Sequence, residues 1–264
     1  MVSDSSARSP VGPFAAYPSL RLRRVLITGG ATGIGAALVR GFVGQGAAVA
    51  FLDVQDAAAA QLVSELAAAQ PAPIYHRCEL AQTDAISTAV AAVLRALGGL
   101  DVLINNAGND RRHSTDQITA SEWDELIAIN LRQQFFVTQA ALPALRRSGS
   151  ASILHMSSIA WRIPSTGLPA YVASKAAIVG LARSLAFEEG IHNIRVNSIQ
   201  PGAILTEKQK QLWITPEYSA EILSRQAIKR HLEPDEVVRL ALFLAAADSS
   251  AITGQSYVID GGWV

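Results

Sequence analysis

Val25-Leu26-Ile27-Thr28-Gly29-Gly30-Ala31-Thr32-Gly33-Ile34-Gly35 is the stretch that decides the fold. A short apolar run passes straight into a turn crowded with glycine. A helical pattern, 35–45, follows at once. Strand, glycine-rich turn and helix in that order form a nucleotide loop. Glycines let the backbone approach a ligand closely. The helix N-terminus supplies N–H donors and a positive dipole end, which suit a pyrophosphate. The spacing T-G-x-x-x-G-x-G is a variant of the usual fingerprint. The plainer reading is an ordinary glycine-rich turn, but the flanking elements are those the nucleotide mechanism requires.

The same alternation continues along the chain. Strand candidates are 25–28, 48–53, 74–78, 102–105, 152–156, 195–199 and 256–259. They are apolar throughout, like strands buried on both faces of a parallel sheet. Between them, 56–70, 84–97, 122–147, 171–189 and 234–247 are rich in Ala, Leu, Glu and Arg and read as helices. Pro234 takes the favoured first-turn position of its helix. Strict alternation implies one doubly wound α/β domain. It spans residues 21–264, after a flexible Ser- and Pro-rich arm, 1–20, partly pinned by Phe14 and Tyr17. The segment from Gln200 to His231 has no strand candidate. It reads as a helical insertion, with a substrate lid over about 203–231, because ligands lie beyond the carboxyl ends of such strands.

Composition excludes several classes. The 264 residues carry 22 basic and 22 acidic side chains, so no basic excess points to nucleic acid or to a polybasic membrane anchor. With 50% hydrophobic and 17% charged residues the chain is not a disordered one. A single cysteine, Cys78, excludes an internal disulfide framework and fits a reducing compartment. No uninterrupted apolar run reaches the ~18 residues of a membrane span. No signal peptide is expected, and Arg23-Arg24, set directly before a strand, is not read as an export signal. The expected location is the cytoplasm.

Asp53 ends the second strand candidate, 18 positions after Gly35. An acidic residue there can accept both ribose hydroxyls of an adenosine and repel an added phosphate, which selects NAD over NADP. No Arg or Lys is expected near it. The other reading of Asp53 is a helix N-cap. Asn105-Asn106-Ala107-Gly108 follows the fourth strand, where small residues let a cofactor pass. A turn alone would also explain them.

Tyr171 and Lys175 stand four apart on one helix face. A free phenol ionises near ~10, too high for a base at neutral pH. A neighbouring ammonium lowers that value. Tyr171 can then take a proton from an alcohol while a cofactor accepts the hydride. Ser158, just past the fifth strand, can hold the substrate oxygen. Alone, Y-x-x-x-K is common and structural; beside the glycine loop it gains weight.

Thr28-Gly29-x-x-x-Gly33-x-Gly35, Asn105-Asn106-Ala107-Gly108, Ser158, Tyr171-x-x-x-Lys175 and Pro201-Gly202 stand in the order and spacing of the short-chain dehydrogenase/reductase family, which the chain resembles from about 22 to 262. The resemblance implies a seven-stranded Rossmann-type sheet and a catalytic tetrad of Asn130, Ser158, Tyr171 and Lys175. Asn130 would hold a water leading from Lys175 to solvent. Cofactor contacts implied are Gly29, Thr32, Gly33, Ile34, Gly35, Asp53, Glu79, Leu80, Asn106, Ala107, Gly108, Tyr171, Lys175, Pro201, Gly202, Ile204 and Thr206. Glu79 departs from the family's usual Asp beside adenine. The resemblance also implies a homotetramer, joined through the long helices and the C-terminal strand.

Further features resemble the family's bacterial aldose 1-dehydrogenases, which act on L-arabinose or D-xylose. These are Tyr17-Pro18-Ser19-Leu20, Asn109-Asp110 with Arg112 and His113, Gln209, and Trp213-x-Thr215-Pro216-Glu217. The resemblance makes Asp110, Arg112 and Gln209 the residues that bind sugar hydroxyls, beside Ser158 and Tyr171. The other reading of this loop is a solvated charged segment with local salt bridges. The expected reaction oxidises the anomeric hydroxyl of an aldose, L-arabinose first, with D-galactose, D-fucose and D-xylose as neighbours. The product is an aldonolactone. The alternative is a sugar-acid dehydrogenase, with Arg112 on the carboxylate. A catalytically silent, cofactor-sensing regulator is a third reading, disfavoured by the intact tetrad.

No metal site is expected, because the five histidines form no ligand pattern and Cys78 has no cysteine partner. His155 reads as a satisfied core histidine, and His113 as a residue of either the pocket or the surface. Trp161 and Trp213 are expected to flank the cleft.

Overall fold

The apolar runs pair side by side as parallel strands. The structure, a computed structural model, describes residues 14–212 and 215–264. The strands are β1 (Arg24–Thr28), β2 (Ala48–Asp53), β3 (Ile74–Arg77), β4 (Val102–Asn105), β5 (Ala151–Met156), β6 (Ile194–Pro201) and β7 (Ser256–Ile259). They form one seven-stranded sheet in the order β3-β2-β1-β4-β5-β6-β7, parallel throughout. The helices are α1 (Gly33–Gly44), α2 (Asp56–Glu65), α3 (Thr83–Leu97), α4 (Ala120–Ile127), α5 (Gln133–Ser148), α6 (Pro169–Glu189), α7 (Glu207–Leu212), α8 (Pro216–Arg225) and α9 (Pro234–Ala245).

Alternate residues of each central strand serve two cores. Val25, Ile27, Val102, Ile104 and Leu154 pack with α1 and α9. Leu26, Leu103 and Ile153 pack with α3, α5 and α6. Each fully buried side chain of this size contributes about 1.5–3 kcal/mol. That two-sided burial is why the strands read as apolar throughout. The edge strands differ. Ile74 and Arg77 of β3 are exposed and Tyr75 and His76 half-buried, because the outermost strands are less covered by helices. β7 is likewise only partly buried.

Three helices depart from expectation. α2 stops at Glu65 rather than 70, with Ala59 and Leu62 as its buried residues. The long helix expected over 122–147 is α4 and α5, joined by a π-helical turn, Ala128–Arg132. The segment Pro169–His192 is long and apolar enough to cross a membrane by composition, which a search for unbroken apolar runs misses. Here it packs on the sheet, burying Ala170, Ser174, Lys175, Ile178, Ala182 and Leu185. At the chain's start, Leu20 is fully buried, and Phe14 and Tyr17 pack against the first core. Residues 1–13 of the expected arm lie outside the described residues.

The strand order turns back between β1 and β4. Such a switch point opens a crevice at the carboxyl ends of the strands. The glycine loop follows β1 there and Asn106–Gly108 follows β4. The insertion after β6 contributes α7 and α8, and an isolated bridge pairs Ile204 with Leu232.

Candidate active site

The crevice is a cleft of about 1130 Å³. Its cofactor side is mostly backbone. Gly33 holds φ +55, a left-handed conformation that strains any residue with a Cβ. A Cβ on Gly35 would sit 1.7 Å from the Gly29 carbonyl oxygen, so that position admits only glycine. α1 begins after Thr32 with no side chain capping it, which leaves its first N–H groups for a ligand. Asn106 fastens this loop to the end of β4. Its Nδ2 donates to the carbonyls of Thr28 and Gly29, both at 3.0 Å. Thr28 Oγ1 in turn accepts from Asn106 N at 3.0 Å and Ala107 N at 3.1 Å. This cradle of glycine, helix terminus and acidic side chain fits a dinucleotide.

Asp53 is buried and fixed by backbone donors. Ala31 N reaches Oδ2 at 2.9 Å, while Val54 N and Gln55 N reach Oδ1 at 2.7 and 3.1 Å. Gln55 precedes α2 as its N-cap, so Asp53 is not the cap. One expectation is corrected. An arginine does stand beside Asp53, because the β2–β3 register pairs it with Arg77. Arg77 Nη1 is engaged by the Val54 carbonyl and by Asp56, each at 2.6 Å. Glu79, Leu80, Pro201, Gly202, Ile204 and Thr206 line the same cleft, as do Thr32 and Ile34.

The residues expected to do chemistry meet where β5, α6 and the π-helical turn converge. Lys175 is buried, and its Nζ donates to the Met156 carbonyl at 2.8 Å. That ammonium lies 5.3 Å from the centroid of the Tyr171 ring. Asn130 sits in the π-helical turn, a distortion often found at functional sites. It accepts from Asn109 N at 2.7 Å and donates to Asn109 O at 2.9 Å. A Cβ on Gly108 would lie 3.1 Å from Asn130 Oδ1 and 3.3 Å from Lys175 Nζ. The bareness of Gly108 thus makes room for both. Ser158 Oγ accepts from Ala160 N at 3.1 Å.

The electrostatics correct another expectation. Tyr171 is pushed up to about 12, first by burial and then by the charge of Asp110, with Ser158 opposing. Lys175 is pushed down to about 8 by burial, with Asp110 opposing. Burial and the charge of Asp110 thus set the direction for Tyr171, and the lowering expected from Lys175 is not among the causes.

Asp110, Arg112 and Gln209 all line the cleft. Gln209 Nε2 donates to Asp110 Oδ2 at 3.0 Å, and Arg112 Nη1 donates to the Thr166 carbonyl at 3.1 Å. The other reading of this loop is partly realised too. Lys208 binds Asp110 Oδ1 at 2.5 Å, and Arg111 lies 3.8 Å from Glu125.

Trp161 turns to Gln200, donating at 3.0 Å, while Trp263 lines the cleft in its place. Trp213 lies outside the described residues. His113 is partly buried, with its Nε2 unpartnered. His155 is fully buried and half satisfied. Its Nδ1 meets Gln134 Oε1 at 2.9 Å, while Nε2 has no partner. Burial, then the charge of Lys175, holds its ring down to about 3, hence neutral. Burial raises Cys78 to about 11, which argues against a nucleophile. Lys208, Trp263, Tyr218 and His231 also line the cleft. None was expected at the cleft from sequence, where Lys208 looks like a residue of any solvated helix and the C-terminus with Trp263 is read as reaching toward a neighbouring subunit.

Residues 29–264 match a family model described as enoyl-(acyl carrier protein) reductase. D-xylose 1-dehydrogenase of Caulobacter vibrioides is 44% identical over 249 residues, covering 94% of this chain and 98% of that protein. A probable galactose dehydrogenase of Rhizobium meliloti is 44% identical over 251 residues, covering 95% and 98%. Among solved structures, a 7α-hydroxysteroid dehydrogenase complexed with NADH matches with a TM-score of 0.87 at 31% identity, covering 93% of this chain and 96% of that one. A short-chain dehydrogenase of Burkholderia cenocepacia in complex with NADP matches at 0.86 and 33%, covering 93% and 99%. With its cradle at the switch point, and Ser158, Tyr171 and Lys175 around one cleft, the chain belongs to the short-chain dehydrogenase/reductase family, whose members are oxidoreductases.

Proposed function

We propose that the protein oxidises the anomeric hydroxyl of an aldose to the aldonolactone, with NAD as acceptor. The observation that carries this reading is the cleft's second wall. Asp110, Arg112 and Gln209 bring acceptors and donors to the same space as Tyr171 and Ser158. A neutral polyol needs such partners, because each buried polar group left unpaired costs about 1–3 kcal/mol. The similarity to xylose and galactose dehydrogenases supports a sugar. L-arabinose is the favoured substrate, with D-galactose, D-fucose and D-xylose beside it.

Gly29, Gly33, Gly35 and the α1 terminus would hold the pyrophosphate, Asp53 the adenosine ribose, and Asn106–Gly108 with Thr206 the path toward nicotinamide. Bound NAD supplies the hydride acceptor and a positive charge beside the phenol. Tyr171 removes the proton from O1 of the sugar. Ser158 holds that oxygen. Lys175, anchored on the Met156 carbonyl, supplies the cation beside the phenol. Asn130 clamps Asn109 and so fixes the loop that carries Asp110. Asp53, with Arg77 committed to Asp56, disfavours a 2′-phosphate.

A second reading, a sugar-acid dehydrogenase, rests on Arg112 at the cleft, which would pair with a carboxylate. We also infer a cytoplasmic homotetramer. Its support is the single cysteine, which is buried, and exposed apolar side chains on and just after the helices α4 to α6: Trp123, Phe135, Phe187 and Ile191. Light scattering tests the assembly. An NADH-formation screen over all aldopentoses, aldohexoses and their acids tests the reaction. The expected result is turnover of aldoses, L-arabinose best, with NAD preferred. Turnover of some other alcohol but of no aldose would overturn it.

A further inference from the structure

Among the described residues, Asp110 is the carboxylate whose charge acts on both Tyr171 and Lys175, and the lid holds it at both oxygens. Lys208 Nζ binds Oδ1 at 2.5 Å and Gln209 Nε2 binds Oδ2 at 3.0 Å. Both donors belong to α7. Asp110 belongs to the loop after β4, 98 residues away from Lys208. α7 is itself seated on the cofactor side. Lys210 N and Gln209 N bond Thr206 at 3.0 and 3.3 Å, and a Cβ on Gly33 would meet the Thr206 side chain at 3.4 Å. Thr206, just before α7, thus lies beside the glycine loop, and Lys208 and Gln209, two and three residues later, hold the Asp110 carboxylate.

We propose that Lys208 is a positioning residue of the substrate site: through Asp110 it fixes the acceptor that reads the sugar and balances the charge facing the Tyr171–Lys175 pair. This rests on the aldose reading. The geometry explains why the cation comes from the lid. Asp110 is half-buried, and burial alone would favour its neutral form. The Lys208 hydrogen bond and charge, with smaller help from Gln209, keep it ionised. An ionised carboxylate only accepts, so it selects a hydroxyl that donates toward it. Each oxygen of a carboxylate has room for a second donor, so Lys208 and a sugar hydroxyl can share Oδ1. Without Lys208, Gln209 would be the α7 donor left on Asp110, and it brings no charge to offset the carboxylate that acts on Tyr171. His155 faces Lys175 from β5 but stays neutral.

The test compares Lys208→Met and Lys208→Arg with wild type. Lys208 is half exposed, so folding is expected to survive both changes. In Lys208→Met the KM for the preferred aldose is expected to rise about tenfold, the size of one charge-assisted hydrogen bond. The alkaline rise of kcat/KM should also move to higher pH, because the uncompensated Asp110 raises the phenol further. NAD affinity by fluorescence titration should stay unchanged. Lys208→Arg should restore KM to within about threefold, as it keeps the charge. Amide hydrogen exchange over 207–212 should quicken in the Met variant alone. A Lys208→Met enzyme with the wild-type KM and pH profile would overturn the proposal. If the wild type turns over no aldose, the functional reading fails by itself. Exchange then decides the Lys208 tie, and unchanged rates over 207–212 overturn it.

Discussion

The two walls of the cleft are built by opposite means. The cofactor wall is backbone: bare glycines, a helix terminus and a carboxylate held by three main-chain N–H groups. The substrate wall is side chains that meet from distant parts of the chain, Asp110 with Lys208 and Gln209, and Arg112 with Thr166. A backbone wall tolerates little change and recognises a ligand that many proteins share. A side-chain wall can be exchanged residue by residue, so it is where substrate choice resides. Tyr171 and Lys175 stand between them on α6, with Lys175 anchored to β5 through the Met156 carbonyl.

The sharpest break in this comparison is Tyr171→Phe. It removes one oxygen and leaves both walls intact. The expected loss is in kcat, about 10²–10⁴-fold, with NAD affinity unchanged. Stopped-flow turnover and fluorescence titration separate the two. A variant that keeps half its activity would move the base elsewhere.

Asp53→Asn cuts into the cofactor wall. The amide keeps the shape but offers one acceptor oxygen instead of two, and Ala31, Val54 and Gln55 N–H groups compete for it. NAD affinity is expected to fall about tenfold or more, and the preference over NADP to narrow, as two or so hydrogen bonds are weakened. The sugar KM measured at saturating NAD should hardly move. A loss of sugar affinity with intact NAD binding would contradict the division between the walls.

How much of this was legible in the sequence follows the same line. The glycine loop, Asp53, Asn106–Gly108 and Tyr171-x-x-x-Lys175 are contiguous or nearly so, and local spacing encodes their geometry. Strand register is not local, so Arg77 beside Asp53 was invisible. The π-helical turn at Asn130 was invisible too, since Ala-Ile-Asn-Leu reads as plain helix. Asp110 and Gln209 came only through resemblance, and their contact depends on how the insertion folds back. Lys208 and Trp263 carry no signal at all in a single sequence. Exposed lysines and C-terminal aromatics are common, and only tertiary contact gives these two a place.

The opposite end of the sheet supplies a control for both walls. Asp101, just before β4, binds Arg24 through Nε at 2.8 Å and Nη2 at 2.7 Å, and Ser148 at 2.7 Å. Burial favours the neutral acid, but the hydrogen bonds from Arg24 and Ser148 outweigh it and hold Asp101 down at about 2. A depressed carboxylate stabilises the fold above its ordinary range, and that stability is lost as pH falls from about 3.8 toward 2. Asp101→Asn is expected to destabilise by about 1–3 kcal/mol at neutral pH. Its melting temperature should fall by about 2–4 °C per kcal/mol and become less sensitive to acid. Both walls are remote, so kcat and KM stay at wild-type values. A change in KM would show that the ends of the sheet are coupled.

Gln209→Leu is the finest cut, because it removes an uncharged donor from Asp110 and leaves Lys208 on the same carboxylate. A hydrogen bond to a charged group contributes about 1.5 kcal/mol at the low end of its range, so the KM for the preferred aldose should rise about tenfold with kcat nearly constant. The direction across sugars carries more information than the size. If Gln209 orients Asp110 toward one hydroxyl, the penalty falls on the sugar that presents that hydroxyl and spares its epimer. If Gln209 only closes the lid, every aldose loses equally. Measuring KM for epimeric pairs, D-galactose against D-glucose and L-arabinose against L-ribose, therefore separates reading from closing. An equal loss for all four would remove Gln209 from specificity and leave the substrate wall to Asp110, Arg112 and Lys208.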